Sequence, residues 1–244
     1  MAAAARLPAK TREGWGVSAK LRVSDASAGS MPDVVGRFRL GRLKGRRPVA
    51  LDGWRVTTGD QRVADNVAAL LGGTPEEWVT EGEDDIEVLT DADAVEVILD
   101  GPDAIAADLM LWGMDGTILH HCDSQAFLSG DRPGQPCGCP ELVADRKAAA
   151  KSGRGPKPRT RITFRLLGAP GLGKFCMTSG SWDLVRVLHE YADALEGVGG
   201  PAACVLKLET VSFTPERGPY KGRVISYKRP ALAVCGAYEH GASG

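Results

Sequence analysis

The sequence predicts an α+β fold: mixed, mostly antiparallel sheets, two main helices and one long irregular loop region. Three observations carry this. Short apolar stretches recur along the chain, joined by links rich in Gly, Asp or Pro, which is the pattern of paired strands. Only two stretches space their apolar residues as a helix face does. Between them, residues 123–159 contain Pro133, Pro136, Pro140, Pro156 and Pro158 and show little apolar periodicity. So long an irregular region in a folded chain is usually functional, held by a metal, or mobile.

The elements follow in order. Residues 1–31 are rich in Ala, Ser and basic residues without periodicity, and are expected to be a disordered basic tail. A globular core is expected over 32–235, and a flexible tail over 236–244. VGRFRLG, from Val34, alternates like a strand, and VALDGWRVT, from Val49, reads as extended. A helix follows, capped by Thr58 or Asp60, with Val63, Val67, Leu70 and Leu71 on one stripe, and Gly72-Gly73 ends it. Strands are expected at 86–90, 94–99, 108–112 and 116–122, with the short links 91–93 and 113–116 suited to hairpins. The second helix spans 181–196, capped by Ser181, with Leu184, Leu188, Tyr191 and Leu195 on one face. Strands 204–213 and 224–234 close the core.

Residues 168–174 read GAPGLGK, the spacing of a phosphate-binding loop. Such a loop needs a hydroxyl after the Lys to ligate magnesium, and a helix opening directly behind it. Phe175 offers no oxygen, and Phe-Cys-Met-Thr reads as a strand. The expectation is a hairpin, with strands 160–167 and 174–178 around a Pro-Gly turn, and no bound nucleotide.

The chain has 244 residues, 43% hydrophobic and 25% charged, as in an ordinary globular protein. No apolar run is long enough to span a membrane, and the N-terminus lacks the apolar centre of a signal peptide. A cytoplasmic protein is expected. Its six cysteines are then thiols or metal ligands rather than disulfides. Charge is segregated. Residues 1–50 carry eleven cations against three acids, 51–115 two against seventeen, and 116–244 seventeen against eleven. Such asymmetry suggests charged surfaces for a partner, while each run alone is more often a solvated face.

One constellation carries chemistry: His120-His121-Cys122, then Cys137-Gly138-Cys139-Pro140. Thiolates and imidazoles at close spacing are how proteins hold zinc. A strand alternates sides, so His120 and Cys122 point one way and His121 the other. Cys122, Cys137 and Cys139 are three expected ligands, with His120 the best fourth and Cys176 in reserve. Four protein ligands make a closed, structural site that would staple a loop with little core of its own. A catalytic zinc would need an open position and a carboxylate base. Asp123 is adjacent, but no His-Glu-x-x-His motif accompanies it. Cys176, Cys204 and Cys235 lie in apolar strand patterns and are expected to be buried thiols.

Residues 146–165 hold eight Lys or Arg and no acid, a run suited to phosphates, to an acidic protein surface, or to nothing beyond solvent. The candidate partner-binding residues are Lys151, Arg154, Lys157 and Arg159 in this run, and Tyr220 and Lys221 in the Gly/Pro-rich loop 214–223.

Several blocks in order resemble one family: GRFRLG, RPVALDGWRVTT, the capped helix ending ALLGGTPEEW, the C…CxCP loop, PRTRITFRL with GAPGLG, and the Trp/Leu helix. Over about residues 34–230 the chain resembles the recombination directionality factor-like family of actinobacterial temperate phages. The resemblance implies a phage-encoded, non-enzymatic regulatory protein acting in the cytoplasm of a bacterial host. It implies binding to a large serine integrase on attachment-site DNA, switching it by protein–protein contact from integration (attP × attB) to prophage excision (attL × attR). Sequence-specific DNA binding is not implied. The resemblance implies a further Cys ahead of the Pro-x-Thr-Arg strand, and residues 155–160 have none, so the site it implies would be three-cysteine, either completed by His120 or lost. The alternative reading is a nucleic-acid-binding zinc protein in phage DNA replication or regulation.

Overall fold

The computed structural model describes residues 34–239 apart from 45, 46, 81 and 83. Residues 1–31 and 240–244, where tails are expected, lie outside the described residues. The chain runs through β1 (Val34–Lys44), β2 (Arg47–Thr58), α1 (Gln61–Leu71), β3 (Pro75–Glu77), β4 (Ile86–Leu89), β5 (Ala94–Leu99), β6 (Ile105–Trp112) and β7 (Ile118–Cys122). It continues through α2 (Val143–Lys151), β8 (Lys157–Leu166), β9 (Lys174–Ser179), α3 (Trp182–Val198), β10 (Ala202–Phe213) and β11 (Ile225–Ala237). The fold is α+β as expected, with strands ordered β11-β10-β5-β8-β9-β1-β2-β4-β3 and the β6–β7 hairpin branching from β8.

Every pair is antiparallel except β1 with β9. β8 joins the two parts of the sheet. One of its edges pairs with β9, while the other pairs first with β6, over Lys157–Ile162, and then with β5 through Arg165 and Leu166.

The core forms where strand alternation places aromatic residues on one face. Phe38, opposite Val56, packs edge-on against Trp54, Phe164 and Phe175, with ring centroids 5.7, 5.2 and 5.6 Å away. The ring of Phe175 crosses Gly36 so closely that a Cβ there would sit 2.9 Å from it, which reserves the position for glycine. Val63, Ala64 and Val67 of α1 and Leu184, Leu188, Ala192 and Leu195 of α3 join this core. Tyr191 packs against it partly buried, and Leu70 is left half-exposed. Asp60, rather than Thr58, caps α1: its carboxylate accepts from the amide of Arg62 at 2.8 Å. The Ser181 hydroxyl caps α3 as expected, each cap being worth about 1 kcal/mol.

GAPGLGK is a hairpin connection. One turn of 3-10 helix, Pro170–Leu172, leads into β9 and not into a helix, with Lys174 exposed and Phe175 in the core.

Several elements differ from expectation. β4 and β5 do not form a hairpin: β4 pairs with β2 and β3, β5 with β10 and β8. The link between them is bound to β2 instead, since Thr90 donates from its amide to the Trp54 carbonyl and Ala92 accepts from the Trp54 amide, both at 2.9 Å. α2 is a third helix inside the expected irregular region. Its sequence VADRKAAAK has good helix formers but no apolar stripe for periodicity to reveal. β8 begins at Lys157, three residues early, and the short β3 was not foreseen. β11 runs to Ala237, because Ala237 pairs with Ala202.

Candidate metal centre

β7 sets the geometry of the cluster. His121 lies opposite Met110 and Cys122 opposite Leu109, so neighbouring residues of β7 face opposite sides of the hairpin. After Cys122 the chain turns back twice. Asp123 Oδ1 accepts from the amides of Gln125 (2.8 Å) and Ala126 (2.7 Å). Ser124 between them holds φ +86°, uncommon for a residue with a side chain. The amide of Phe127 donates to the Gln135 carbonyl, and the amide of Cys137 to the Gln125 carbonyl, both at 2.9 Å. These bonds return Cys137 and Cys139 to the end of β7. Gly138, with φ +71°, makes the reversal between the two cysteines.

His120, Cys122, Cys137 and Cys139 thus present one ligand atom each within 4.8 Å of one another. Cys122 and Cys137 are buried, and His120 and Cys139 partly so. The sulfurs of Cys122 and Cys139 are 3.7 Å apart, and Cys139 Sγ is 3.5 Å from His120 Nε2. Zinc bond lengths give tetrahedron edges of about 3.8 Å between sulfurs and about 3.6 Å between sulfur and nitrogen. A disulfide would need about 2.05 Å. The spacing therefore fits a metal ion held by four protein donors, and all six cysteines of the chain are free thiols.

Electrostatics favour the same use. The Cys122 thiol donating to Cys139, together with Cys137 and His120, pulls Cys139 down to about 6 despite its burial. The same contact with Cys139, and burial, push Cys122 far above the ordinary thiol range. Burial raises Cys137. One thiolate thus exists near neutral pH to start metal capture, and the other two give up protons as the cation arrives. The ring of His120 rests on Phe127 at 4.8 Å between centroids, with the Arg132 guanidinium on the same Phe127 ring at 4.9 Å. Asp123 braces the loop through Oδ1 at its turn.

The reverse side of β7 has a second cluster that sequence reasoning missed. Asp108, buried in β6, takes a two-pronged ion pair from Arg159 at 2.9 and 2.6 Å and lies 4.0 Å from Arg161. His121 shares a hydrogen bond with Ser129 through Nδ1 (2.9 Å), and its Nε2 is 3.5 Å from Asp108. The loop is therefore pinned on both sides of one strand. An acid amid the apolar residues IAADLMLW was the available signal.

The other expected site residues are dispersed. Cys176 lies outside the cluster, buried beside Thr178, with burial raising its thiol. Cys204 is likewise pushed up to about 11 by burial, whereas Cys235 is exposed. Lys151, Arg154 and Lys157 are exposed, but Arg159 is engaged with Asp108. Tyr220 and Lys221 are exposed in the loop after β10, remote in sequence and topology from the cysteine cluster. Among the described residues, no helix is long and apolar enough to cross a membrane.

A family model described as Gp3-like, recombination directionality factor-like, matches residues 35–231. No solved structure matches the chain.

Proposed function

Since the chain belongs to the Gp3-like, recombination directionality factor-like family, we propose that it is a non-enzymatic regulator of site-specific recombination. In this reading it binds a large serine integrase on attachment-site DNA and switches it from joining attP and attB to recombining attL and attR. The observation that carries the reading is the family match, which spans the fold from β1 to β11. The metal cluster supports a structural rather than a chemical role. Four protein donors fill a tetrahedron, leaving no position for a substrate. Zinc, when bound, would supply a cross-link between β7 and the loop 123–139. His120, Cys122, Cys137 and Cys139 would hold it, and α2 would follow in fixed position.

A binding protein can redirect an enzyme only by preferring one of its arrangements, and a preference of about 3 kcal/mol shifts that equilibrium more than a hundredfold. The protein would act in the cytoplasm of the phage's bacterial host. The test is a reconstituted reaction with the serine integrase of the same phage and both substrate pairs. Excision should appear, and integration fall, only when this protein is added. Unchanged recombination in both directions would overturn the reading. A duplex DNA affinity that drops steeply with salt and needs no integrase would favour a nucleic-acid-binding protein instead.

A further inference from the structure

β10 and β11 continue as a pair beyond the neighbour that supports them. β5 follows β10 only from Ala202 to Lys207, whereas β10 and β11 stay in register through Phe213 opposite Ile225. The last residues of both strands are therefore a two-stranded ribbon, a structure marginal by itself in water.

Its apolar face is on the unexpected side. In the supported half, Ala202, Cys204, Leu206 and Leu208 are buried in the core. Strand alternation places Thr210 and Ser212 on the same side as that row, with Lys228 and Ser226 opposite them. The two serines share a hydrogen bond of 2.7 Å. The outward side begins with charges, Glu209 paired with Arg229 and Lys207, each at 2.9 Å. It then turns apolar: Val211 opposite Tyr227, and Phe213 opposite Ile225. The rings of Phe213 and Tyr227 meet edge-on at 6.3 Å. Phe213 is 48% exposed, and Tyr220 and Val224 at the tip are 57% and 71% exposed. The core of this chain does not cover that face. Its one tie to the rest of the fold, among the described side-chain bonds beyond the ribbon, is the Tyr227 hydroxyl donating to Asp183 at the start of α3 (2.9 Å). The tip adds Arg217, Lys221 and Arg223 against Glu216, all exposed, and none of the three cations has an ion pair among the described residues.

We infer that the outward face of this ribbon, with its cationic tip, docks an apolar, acid-rimmed surface on the protein partner. Contiguous exposed apolar residues rimmed by charge mark such contacts. Nucleic acid is disfavoured as the occupant because the unpaired cations are confined to the tip. A ribbon tracking phosphates needs them along its length, and Lys228 on the polar side is already 3.9 Å from Asp52. This inference rests on the proposed function, with the integrase as partner.

The experiment measures binding of the full chain to the serine integrase of the same phage, without DNA, by titration calorimetry. The variants are Phe213→Asp, Val224→Asp and the triple change Arg217→Glu, Lys221→Glu, Arg223→Glu. Thermal unfolding identifies any variant that fails to fold, and Val224→Asp, the most exposed, covers that case for Phe213. Each aspartate variant should weaken binding at least tenfold with an unchanged unfolding midpoint. The triple variant should weaken it at low salt and approach the natural chain at high salt. If the natural chain binds and all three variants bind equally well, the ribbon assignment falls and the functional reading stands. If the natural chain does not bind the free integrase, the reconstituted recombination reaction alone decides the functional reading, and the ribbon assignment falls. Ribbon-dependent binding to duplex DNA alone, or a ribbon-dependent dimer of this chain in place of integrase binding, would also overturn it.

Discussion

The basic run 146–165 and the tip of the β10–β11 ribbon carry the same charge, which the fold answers to different extents. In the run, Arg146 donates to the Pro140 carbonyl, Arg159 and Arg161 converge on Asp108, and Arg165 pairs with Asp100 at 2.6 Å. The four that remain, Lys147, Lys151, Arg154 and Lys157, are exposed. At the ribbon tip, Arg217, Lys221 and Arg223 have no such counter-ion among the described residues. The fold thus answers half of the run's cations, so a cationic run alone does not identify a contact surface. The wider charge segregation follows the same rule. Arg37, Arg39 and Arg42 from the basic start meet Asp84 and Glu87 from the acidic middle, and Arg55 beside them also binds the buried Glu87. Burial and the nearby Arg55 lower the Arg39 guanidinium pKa, with Arg37 adding to this and Asp84 opposing it.

The comparison can be broken most severely at the metal centre, because Arg146 is fastened to the residue that follows Cys139. Cys139→Ser should lower the bound zinc from about one per chain to near none by elemental analysis. It should also open residues 123–156 to limited proteolysis, turning the run into a solvated linker. Structural zinc contributes about 10–16 kcal/mol in small metal-folded peptides, so a partial share suffices to unfold one loop. Next in size is Asp108→Ala, which leaves the Arg159 guanidinium without its carboxylate. A loss of about 3–5 kcal/mol is expected in denaturant unfolding, whereas an effect below 1 kcal/mol would show the run to be as free as the ribbon tip.

Acid should sharpen the contrast by acting on the metal alone. Metal uptake at pH 7 is expected to release about two protons, from Cys122 and Cys137, because both thiols are held up while Cys139 ionises at about 6. Below pH 6 Cys139 also carries a proton, so zinc affinity should fall more steeply with acid there than between pH 6 and 7. A competition titration with a colorimetric chelator reads this slope. Smallest of all, alanine at Lys151, Arg154 and Lys157 should change stability by no more than about 0.5 kcal/mol. A larger loss would mean that these three are engaged as Arg159 is.

Much of the metal centre was legible because β7 is a strand. The alternation His120, His121, Cys122 dictates which ring joins the sulfurs, and only the path returning Cys137 and Cys139 had to be found. Helix caps at Asp60 and Ser181 and the hairpins β6–β7, β8–β9 and β10–β11 were legible for the same local reasons. What escaped is non-local. The link 91–93 looks like a turn, yet it is held by Trp54 some forty residues earlier. α2 hides because an alanine-rich helix has no stripe. Asp108 hides because its partners, Arg159 and Arg161, lie about fifty residues on.

The place of β1 bears on how the chain is made. β1 leaves the ribosome first of the described strands, yet it lies between β2 and β9, and its parallel neighbour Lys174–Ser179 emerges some 130 residues later. At typical rates of synthesis, about 5–20 residues per second, the edge of β1 waits roughly 7–26 seconds for its second partner. The aromatic core waits with it, since Phe164 and Phe175 arrive on that late hairpin. Completion of the central sheet thus waits for the β8–β9 hairpin to emerge, and a nascent chain stalled before Ser179 would present Val34–Lys44 as an open strand edge to its neighbours.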